Sequence, residues 1–297
     1  MKIFDCFMFY DEEMLLDIRL HELNKFVDYF VIVESKFYHN GKKRNLKFQI
    51  KNYSKFKDKI IYIIHDELPI NLYKIENEEL DGEKIIMNAL IRENHQRNFI
   101  SRGLVSANKN DLILVSDVDE IPNLENFDFN QIKDNIILFE QEIFYYKLNR
   151  YLPNFTWYGT KGCKKKNLIN PQWLRNIKNK KYHFFRLDTF FSNTKYINKI
   201  FFKNGGWHFS NLKNAENIEL KLKSYLHHRD YEAEELGFDK ISKIIQNNET
   251  IYDMFGDKTS KKYGDEKRKK LEVYDVNKLP NYIQSNLEKY KNWIDLK

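Results

Sequence analysis

Leu112-Ile113-Leu114-Val115-Ser116-Asp117-Val118-Asp119-Glu120 is the stretch that decides how this chain folds. Four consecutive apolar residues predict a strand buried on both faces, as in a parallel sheet. Three carboxylates then crowd its carboxyl end, where they repel one another unless a cation or basic side chains compensate. Oxygen donors suit Mg²⁺ or Mn²⁺, which keeps one or two carboxylates and fills its shell with water and substrate phosphates. An isolated Asp-x-Asp is common and can do no more than cap a turn, here the one before Pro122. Its place after a buried strand favours a site.

Working outward, the same alternation recurs. Residues 3–10 form an apolar, strand-like run. Asp11 then offers an N-cap, with Glu12 and Glu13 in the first helical turn, where the helix dipole favours acids. Leu16, Leu20 and Leu23 follow at helical spacing. Residues 29–33 and 60–64 predict two further strands, ending in Glu34-Ser35 and His65-Asp66-Glu67. A helix is expected over 83–102, stopping at Gly103. Strands alternating with helices imply an α/β fold, a mostly parallel Rossmann-like sheet flanked by helices. Ligands of such sheets collect at the carboxyl ends of the strands, which here carry Glu34, Asp66, Asp117 and Asp119.

The later sequence is less regular. Residues 136–139 and Phe184-Phe185 predict strands, 157–166 and 177–181 basic loops, 216–226 a helix, and 258–270 a charged exposed segment. With no repeat, linker or low-complexity tract, a single domain over 1–297 is expected. Its front half, about 1–125, would bind the nucleotide, and 126–297 would lie against it.

Two more clusters carry chemistry. In the helix expected over 83–102, the apolar stripe gives way to Arg92-Glu93-Asn94-His95-Gln96-Arg97-Asn98, a polar run that suggests a helix end facing a polar cavity. Arg97 suits phosphate or carboxylate recognition there, or pairing with an acid on a solvated face. In Asn204-Gly205-Gly206-Trp207-His208-Phe209-Ser210 the paired glycines allow a close backbone approach. Trp207 offers a flat surface for a sugar ring, and His208 a metal or phosphate ligand. A lone His among aromatics is more often a satisfied core residue.

Residues 7–48, with Asp17-Ile18-Arg19-Leu20-His21-Glu22-Leu23, Val31-Ile32-Val33-Glu34-Ser35 and Leu46-Lys47-Phe48, resemble the opening of glycosyltransferase family 17. Animal members of that family add the bisecting N-acetylglucosamine to N-glycans. Ser116-Asp117-Val118-Asp119-Glu120-Ile121-Pro122, Gly206-Trp207-His208-Phe209-Ser210 and Lys221-Leu222-Lys223-Ser224-Tyr225 with His227 resemble its later motifs, in order, over residues 5–230. The resemblance implies a GT-A type fold, a UDP-sugar donor (N-acetylglucosamine by carry-over) and inversion at the anomeric carbon. It implies Asp119 as main ligand of Mn²⁺ or Mg²⁺ with Asp117 assisting, and His208 or His227 completing the metal or phosphate shell. Glu34 would lie near the uracil or ribose and Arg97 near the diphosphate. Inversion needs one base. Glu142 is the first choice by position, with Glu120 and Asp188 as alternatives.

The charge of +7, from 50 basic and 43 acidic residues, is a small imbalance with acids interspersed, which argues against a nucleic-acid partner. A nucleotidyltransferase would usually show a Gly-rich loop near the start, and Phe7-Met8-Phe9-Tyr10-Asp11 has no glycine. A non-catalytic glycan-binding relative is disfavoured by the intact Asp117 and Asp119. Cys6 and Cys163 form no disulfide framework, which favours a reducing compartment. The opening residues read as neither signal peptide nor anchor. The expectation is a soluble, cytoplasmic protein of microbial or viral origin, at most touching a membrane peripherally. Its acceptor would be an oligosaccharide, a polysaccharide or a lipid-linked glycan. The basic segments Lys164-Lys165-Lys166 and 178–181 could meet an acidic acceptor or membrane, though solvated loops are the simpler reading.

Overall fold

The computed structural model describes the chain except residues 79, 130, 131, 134, 196, 197, 225–230, 232–234, 253–267 and 296–297. Among the described residues, seven strands form the main sheet: β1 (Ile3–Phe9), β2 (Tyr29–Ser35), β3 (Ile60–His65), β4 (Leu112–Asp117), β6 (Ile136–Phe139), β9 (Lys161–Lys164) and β10 (Lys199–Phe202). Their order is β10-β6-β9-β4-β1-β2-β3. The pairs β1–β2, β1–β4, β2–β3 and β6–β10 are parallel, and β9 runs antiparallel to both its neighbours. The fold is mixed α/β, as the alternation predicts.

The continuous apolar strands divide cleanly by period two between two cores. Phe7 and Phe9, Phe30 and Ile32, Leu112 and Leu114, and Ile137 and Phe139 face one core. Phe4 and Cys6, Val31 and Val33, Ile113 and Val115, and Ile136 and Leu138 face the other. Helix α1 (Glu13–Leu23) covers the first through Leu15, Leu16, Ile18, Leu20 and Leu23. Helix α3 (Pro171–Asn176) and the turn Phe99–Leu104 cover the second through Trp173, Leu174, Phe99, Ile100 and Leu104. The turn continues helix α2 (Gly82–Asn98), so the helical stretch tightens into 3₁₀ geometry before the Gly103 expected to end it.

One polar pair crosses the first core. Asp5 of β1 is fully buried, and Arg19 of α1 meets it with Nε 2.7 Å and Nη2 2.6 Å from its carboxylate. Nη2 also reaches Ser116 Oγ, while Nη1 donates to the carbonyls of Asp117 (3.1 Å), Val118 (3.3 Å) and Glu120 (2.8 Å). Every guanidinium N–H has an acceptor, which is the condition for a buried arginine to be tolerated.

A second sheet, ordered β12-β8-β7-β11-β5, grows from the acidic turn: β5 (Glu120–Pro122), β7 (Glu142–Tyr145), β8 (Arg150–Tyr151), β11 (Gly206–Ser210) and β12 (Glu272–Val273). β11 pairs antiparallel with β5, setting His208 opposite Glu120, and parallel with β7, setting His208 beside Ile143. Helices α4 (Ala215–Ser224) and α5 (Gly237–Gln246) pack on this sheet through Ile218, Leu222, Ile241 and Ile244.

Local expectations fail in three places. Asp11 is not the cap of α1: Glu12 holds that position without a side-chain cap bond, and Asp11 pairs with Lys213 at 2.9 Å. The basic stretch at 157–166 contains β9, whose Lys161 is buried because its Nζ satisfies the carbonyls of Arg175 and Ile177. Phe184-Phe185 is not a strand but an exposed turn. Of the segment 258–270, only 268–270 falls within the described residues.

Gly206 begins β11 at φ +128°, and a Cβ there would stand 2.1 Å from the Ile121 carbonyl oxygen and 2.7 Å from Asn123 N. These are main-chain atoms of β5 and the residue after it, which cannot yield, and the positive φ adds strain, so Gly206→Ala should lower unfolding free energy by about 2 kcal/mol or more in urea titrations. Arg19→Met strands the Asp5 carboxylate in the core and should cost about 3–5 kcal/mol in the same measurement. Adding Asp5→Leu to Arg19→Met should recover much of that loss.

Candidate active site

The acidic turn after β4 opens into a cavity of about 430 Å³. Its walls come from the carboxyl end of β1 and the residue after it (Phe9, Tyr10), the loop after β2 (Tyr38, Arg44), α2 (Glu93, Gln96), the second sheet (Ile143, His208) and Trp157, which bridges to Gln141. Lys221 of α4 also reaches it. A side cavity of about 160 Å³ adjoins it, and Glu12, Asp119, Asn211 and Lys221 line both.

The three acids of the motif have different fates. Glu120 is buried: its carboxylate accepts the Asp117 backbone N–H (2.7 Å), Trp157 Nε1 (2.7 Å) and both terminal nitrogens of Arg175 (2.7 and 3.1 Å). Asp117 is gripped from two sides, by Arg97 Nη2 on Oδ1 and Arg175 Nη2 on Oδ2, each at 3.0 Å. Burial alone would raise its pKa, but Arg175 and Arg97 outweigh burial and hold it well below the usual carboxylate range. Asp119 faces the cavity with Oδ2 3.6 Å from His208 Nε2, while its carbonyl accepts the Phe209 N–H at 2.8 Å. Burial would lower the His208 pKa; the Asp119 carboxylate overrides it and raises it. His208 Nδ1 is buried and has no hydrogen-bond partner among the described residues.

Strand parity explains which expected residues reach the cavity. On β11, His208 and Ser210 face it, while Trp207 and Phe209 turn to the core. Trp207 is therefore not a sugar platform; it is buried, with Nε1 donating to the Lys278 carbonyl at 2.9 Å. On β7, Ile143 and Tyr145 face the cavity, which puts Glu142 on the Trp207 side with Phe144. Glu142 does not line the cavity, although burial raises its pKa. Asp188 is exposed on a surface loop, tied to Arg186 (2.7 Å) and Lys195 (3.0 Å).

Two further expected contacts are spent within the protein. Glu34 is fully buried and accepts from Arg44 (3.0 Å), Tyr62 (2.8 Å) and the backbone N–H groups of Lys47 (2.6 Å) and Phe48 (3.0 Å). It fastens the loop after β2 rather than meeting a nucleotide. Arg97 lies behind Asp117, also bonded to Glu93 (2.8 Å) and Gln172 (2.5 Å), and does not line the cavity. His227 lies outside the described residues.

Residues absent from the sequence-based selection occupy the walls instead. Arg44 stacks 4.2 Å over the Tyr10 ring, with Tyr38 5.8 Å from Tyr10. Trp157 lies 4.9 Å from the His208 ring. Glu12 Oε2 accepts the backbone N–H groups of Tyr10 (3.2 Å) and Asp11 (3.1 Å). Burial raises its pKa, against the pull of Lys221. Burial would lower the pKa of Lys221, but Asp119 and Glu12 raise it and keep the ammonium charged. Position supplied one missed signal, since Glu12 follows the carboxyl end of β1. Arg175 had none, because no motif surrounds it.

The family model for glycosyltransferase family 17 matches residues 1–295. Over 151 residues the chain is 30% identical to the beta-1,4-mannosyl-glycoprotein 4-beta-N-acetylglucosaminyltransferase of Homo sapiens and to that of Rattus norvegicus. The Mus musculus enzyme is 29% identical over the same length. Each alignment takes in 48% of this chain and 25% of the relative, so the match spans a quarter of the relatives' length. With an acidic turn at the end of a parallel strand and a family match along nearly all its length, the chain belongs to glycosyltransferase family 17.

Proposed function

We propose that this chain is an inverting, metal-dependent glycosyltransferase of GT-A type that moves N-acetylglucosamine from a UDP-sugar to a glycan acceptor. The observation that carries the reading is Asp119, open to the cavity beside an arginine-clamped Asp117 at the carboxyl end of β4, in a family 17 chain. The parallel order β3-β2-β1-β4 ending in that turn supports the GT-A assignment. The name of the matched relatives supports the sugar. Acceptors in view are an oligosaccharide, a polysaccharide or a lipid-linked glycan. Two free, buried cysteines are in keeping with action on the cytoplasmic side.

The donor set suits Mn²⁺ or Mg²⁺ only in its open form. Among the described residues no three His, Cys, Asp or Glu side chains make a preformed cage. Asp119, with His208 near it, is a sparse set of the kind that leaves most positions to diphosphate and water. Asp119 would hold the ion, Asp117 and His208 flanking it. Bound there, the ion offsets charge on the departing diphosphate.

The chain's own groups supply the rest. Tyr10, Tyr38 and Arg44 form an aromatic and cationic wall for the nucleobase, and Trp157 takes the sugar-facing role expected of Trp207. Lys221 adds a fixed positive charge. Of the cavity carboxylates, Asp117 and Glu120 are committed to Arg175 and Glu93 to Arg97. Glu12, where the two cavities join, takes the base role expected of Glu142: it accepts the acceptor hydroxyl's proton as the oxygen attacks the anomeric carbon and UDP leaves from the opposite face.

Calorimetry should show UDP and UDP-N-acetylglucosamine binding with Mn²⁺ and not with EDTA; absence of binding to any UDP species would sink the nucleotide assignment. Asp119→Ala should abolish transfer and metal-dependent UDP binding with an unchanged circular dichroism spectrum. Glu12→Gln should bind donor normally and lose about 10²–10⁴-fold in kcat. Because Glu12 works deprotonated and its pKa is raised, wild-type activity should fall as pH drops through a value above the ordinary carboxylate range. Lys221→Met removes a charge that lowers that pKa, so the acid limb of the kcat/KM profile should move to higher pH.

A further inference from the structure

Residues 177–195, which follow α3, turn back on themselves as a loop closed at its neck. Lys178 N–H donates to the Thr194 carbonyl at 3.0 Å, and Trp173 Nε1 to that of Asn193. Lys199 Nζ bonds the carbonyls of Lys178 (2.8 Å) and Lys180 (2.6 Å). Inside the loop, Thr189 is buried and its Oγ1 donates to the Arg186 carbonyl at 2.7 Å. The loop thus has an inside and an outside, like other compact surface loops.

Its outside is apolar. Phe184, Phe185, Leu187, Phe190 and Phe191 are 62, 76, 73, 68 and 91% exposed, and the Phe184 and Phe185 rings lie 3.8 Å apart. Five large apolar side chains bared within eight residues far exceed the scattered exposure of an ordinary surface. The same stretch carries Lys178, Lys180, Lys181, Arg186, Lys195 and, closing the neck, Lys199, against the lone acid Asp188 in residues 177–199. Asp188 is itself paired to Arg186 and Lys195.

We infer that this loop docks the protein on an anionic lipid bilayer, its phenylalanines and Leu187 entering the interface and its lysines meeting the headgroups. Aromatic and leucine side chains ringed by Lys and Arg are the composition that binds such a surface. The charge complementarity selects lipid as the occupant: a second copy would bring the same positive ring against itself. The dock stands apart from the nucleotide cavity, since none of these side chains lines it.

The test is co-sedimentation of the full chain with vesicles of phosphatidylglycerol and phosphatidylcholine, or of phosphatidylcholine alone. The wild type should pellet with the anionic vesicles, less so at high salt as screening grows, and stay in solution with neutral ones. Phe185→Ser with Phe191→Ser, and separately Lys180→Glu with Lys181→Glu, should each lower vesicle affinity at least tenfold, with the melting temperature and UDP binding unchanged. Wild-type protein left in the supernatant with anionic vesicles overturns the inference, as does wild-type affinity in the Phe185/Phe191 variant. So does self-association in sedimentation velocity that this variant abolishes while vesicles bind nothing.

Discussion

A single buried guanidinium sets the shape of the acidic turn. Arg19 reaches from α1 through the core to Asp5 and holds the carbonyls of Asp117, Val118 and Glu120 from beneath. Thr160 Oγ1 adds a second hold on the Glu120 carbonyl at 3.0 Å, so the turn is pinned from beneath while Arg97 and Arg175 fix its carboxylates from above. Taking a charge into a dry core is costly unless every donor is met and the charge is neutralised nearby. Asp5 does the second, and the turn's carbonyls complete the first. The fold and the site thus share one interaction: the same contact that makes Arg19 tolerable gives the turn its form.

Above that base, positive charge is allotted unevenly. Arg175 spans Asp117 and Glu120, and Arg97 takes the other oxygen of Asp117. Mutual repulsion in the motif is therefore relieved by protein cations for two acids, and Asp119 is left to the cavity with His208 and the charge of Lys221. A divalent ion there would face one well-presented carboxylate rather than three competing ones. This is why an acidic motif can persist in a buried setting without a closed ligand cage.

Five strands of the main sheet, β1, β2, β3, β4 and β6, were legible in the sequence because their causes are local: continuous apolar runs make buried strands, and acids at their ends mark where burial stops. β9, in a stretch expected as a basic loop, and β10 were not. The acidic turn was legible for the same reason. Direction across a strand was not. Trp207 and His208 are neighbours, yet parity sends one to the core and the other to the cavity, and Glu142 shares the fate of Trp207 through the register of β7 with β11. Glu34 and Arg97 were identified as polar groups near the site, but their partners Arg44 and Asp117 lie 10 and 20 residues away and come close only through folding. Phe184-Phe185 has strand composition, and only the neck bonds at Lys178 and Thr194 show why it stays outside the sheet.

The exposed loop and the acidic turn are mechanically adjacent. Helix α3 carries Arg175, which clamps Asp117 and Glu120, and its end is held by Lys161 through the carbonyls of Arg175 and Ile177. The loop's neck begins at the next residue, Lys178, and Trp173 of the same helix fastens its far side at Asn193. Burial pushes the Lys161 ammonium down to about 7, with the charge of Arg175 adding to the effect. The group that anchors both the clamp and the neck therefore titrates near neutrality. Loss of its proton would remove the charge assistance from both hydrogen bonds and loosen the end of α3. Any force on the loop at a bilayer would be felt first at this helix end, and through Arg175 at the carboxylates it holds.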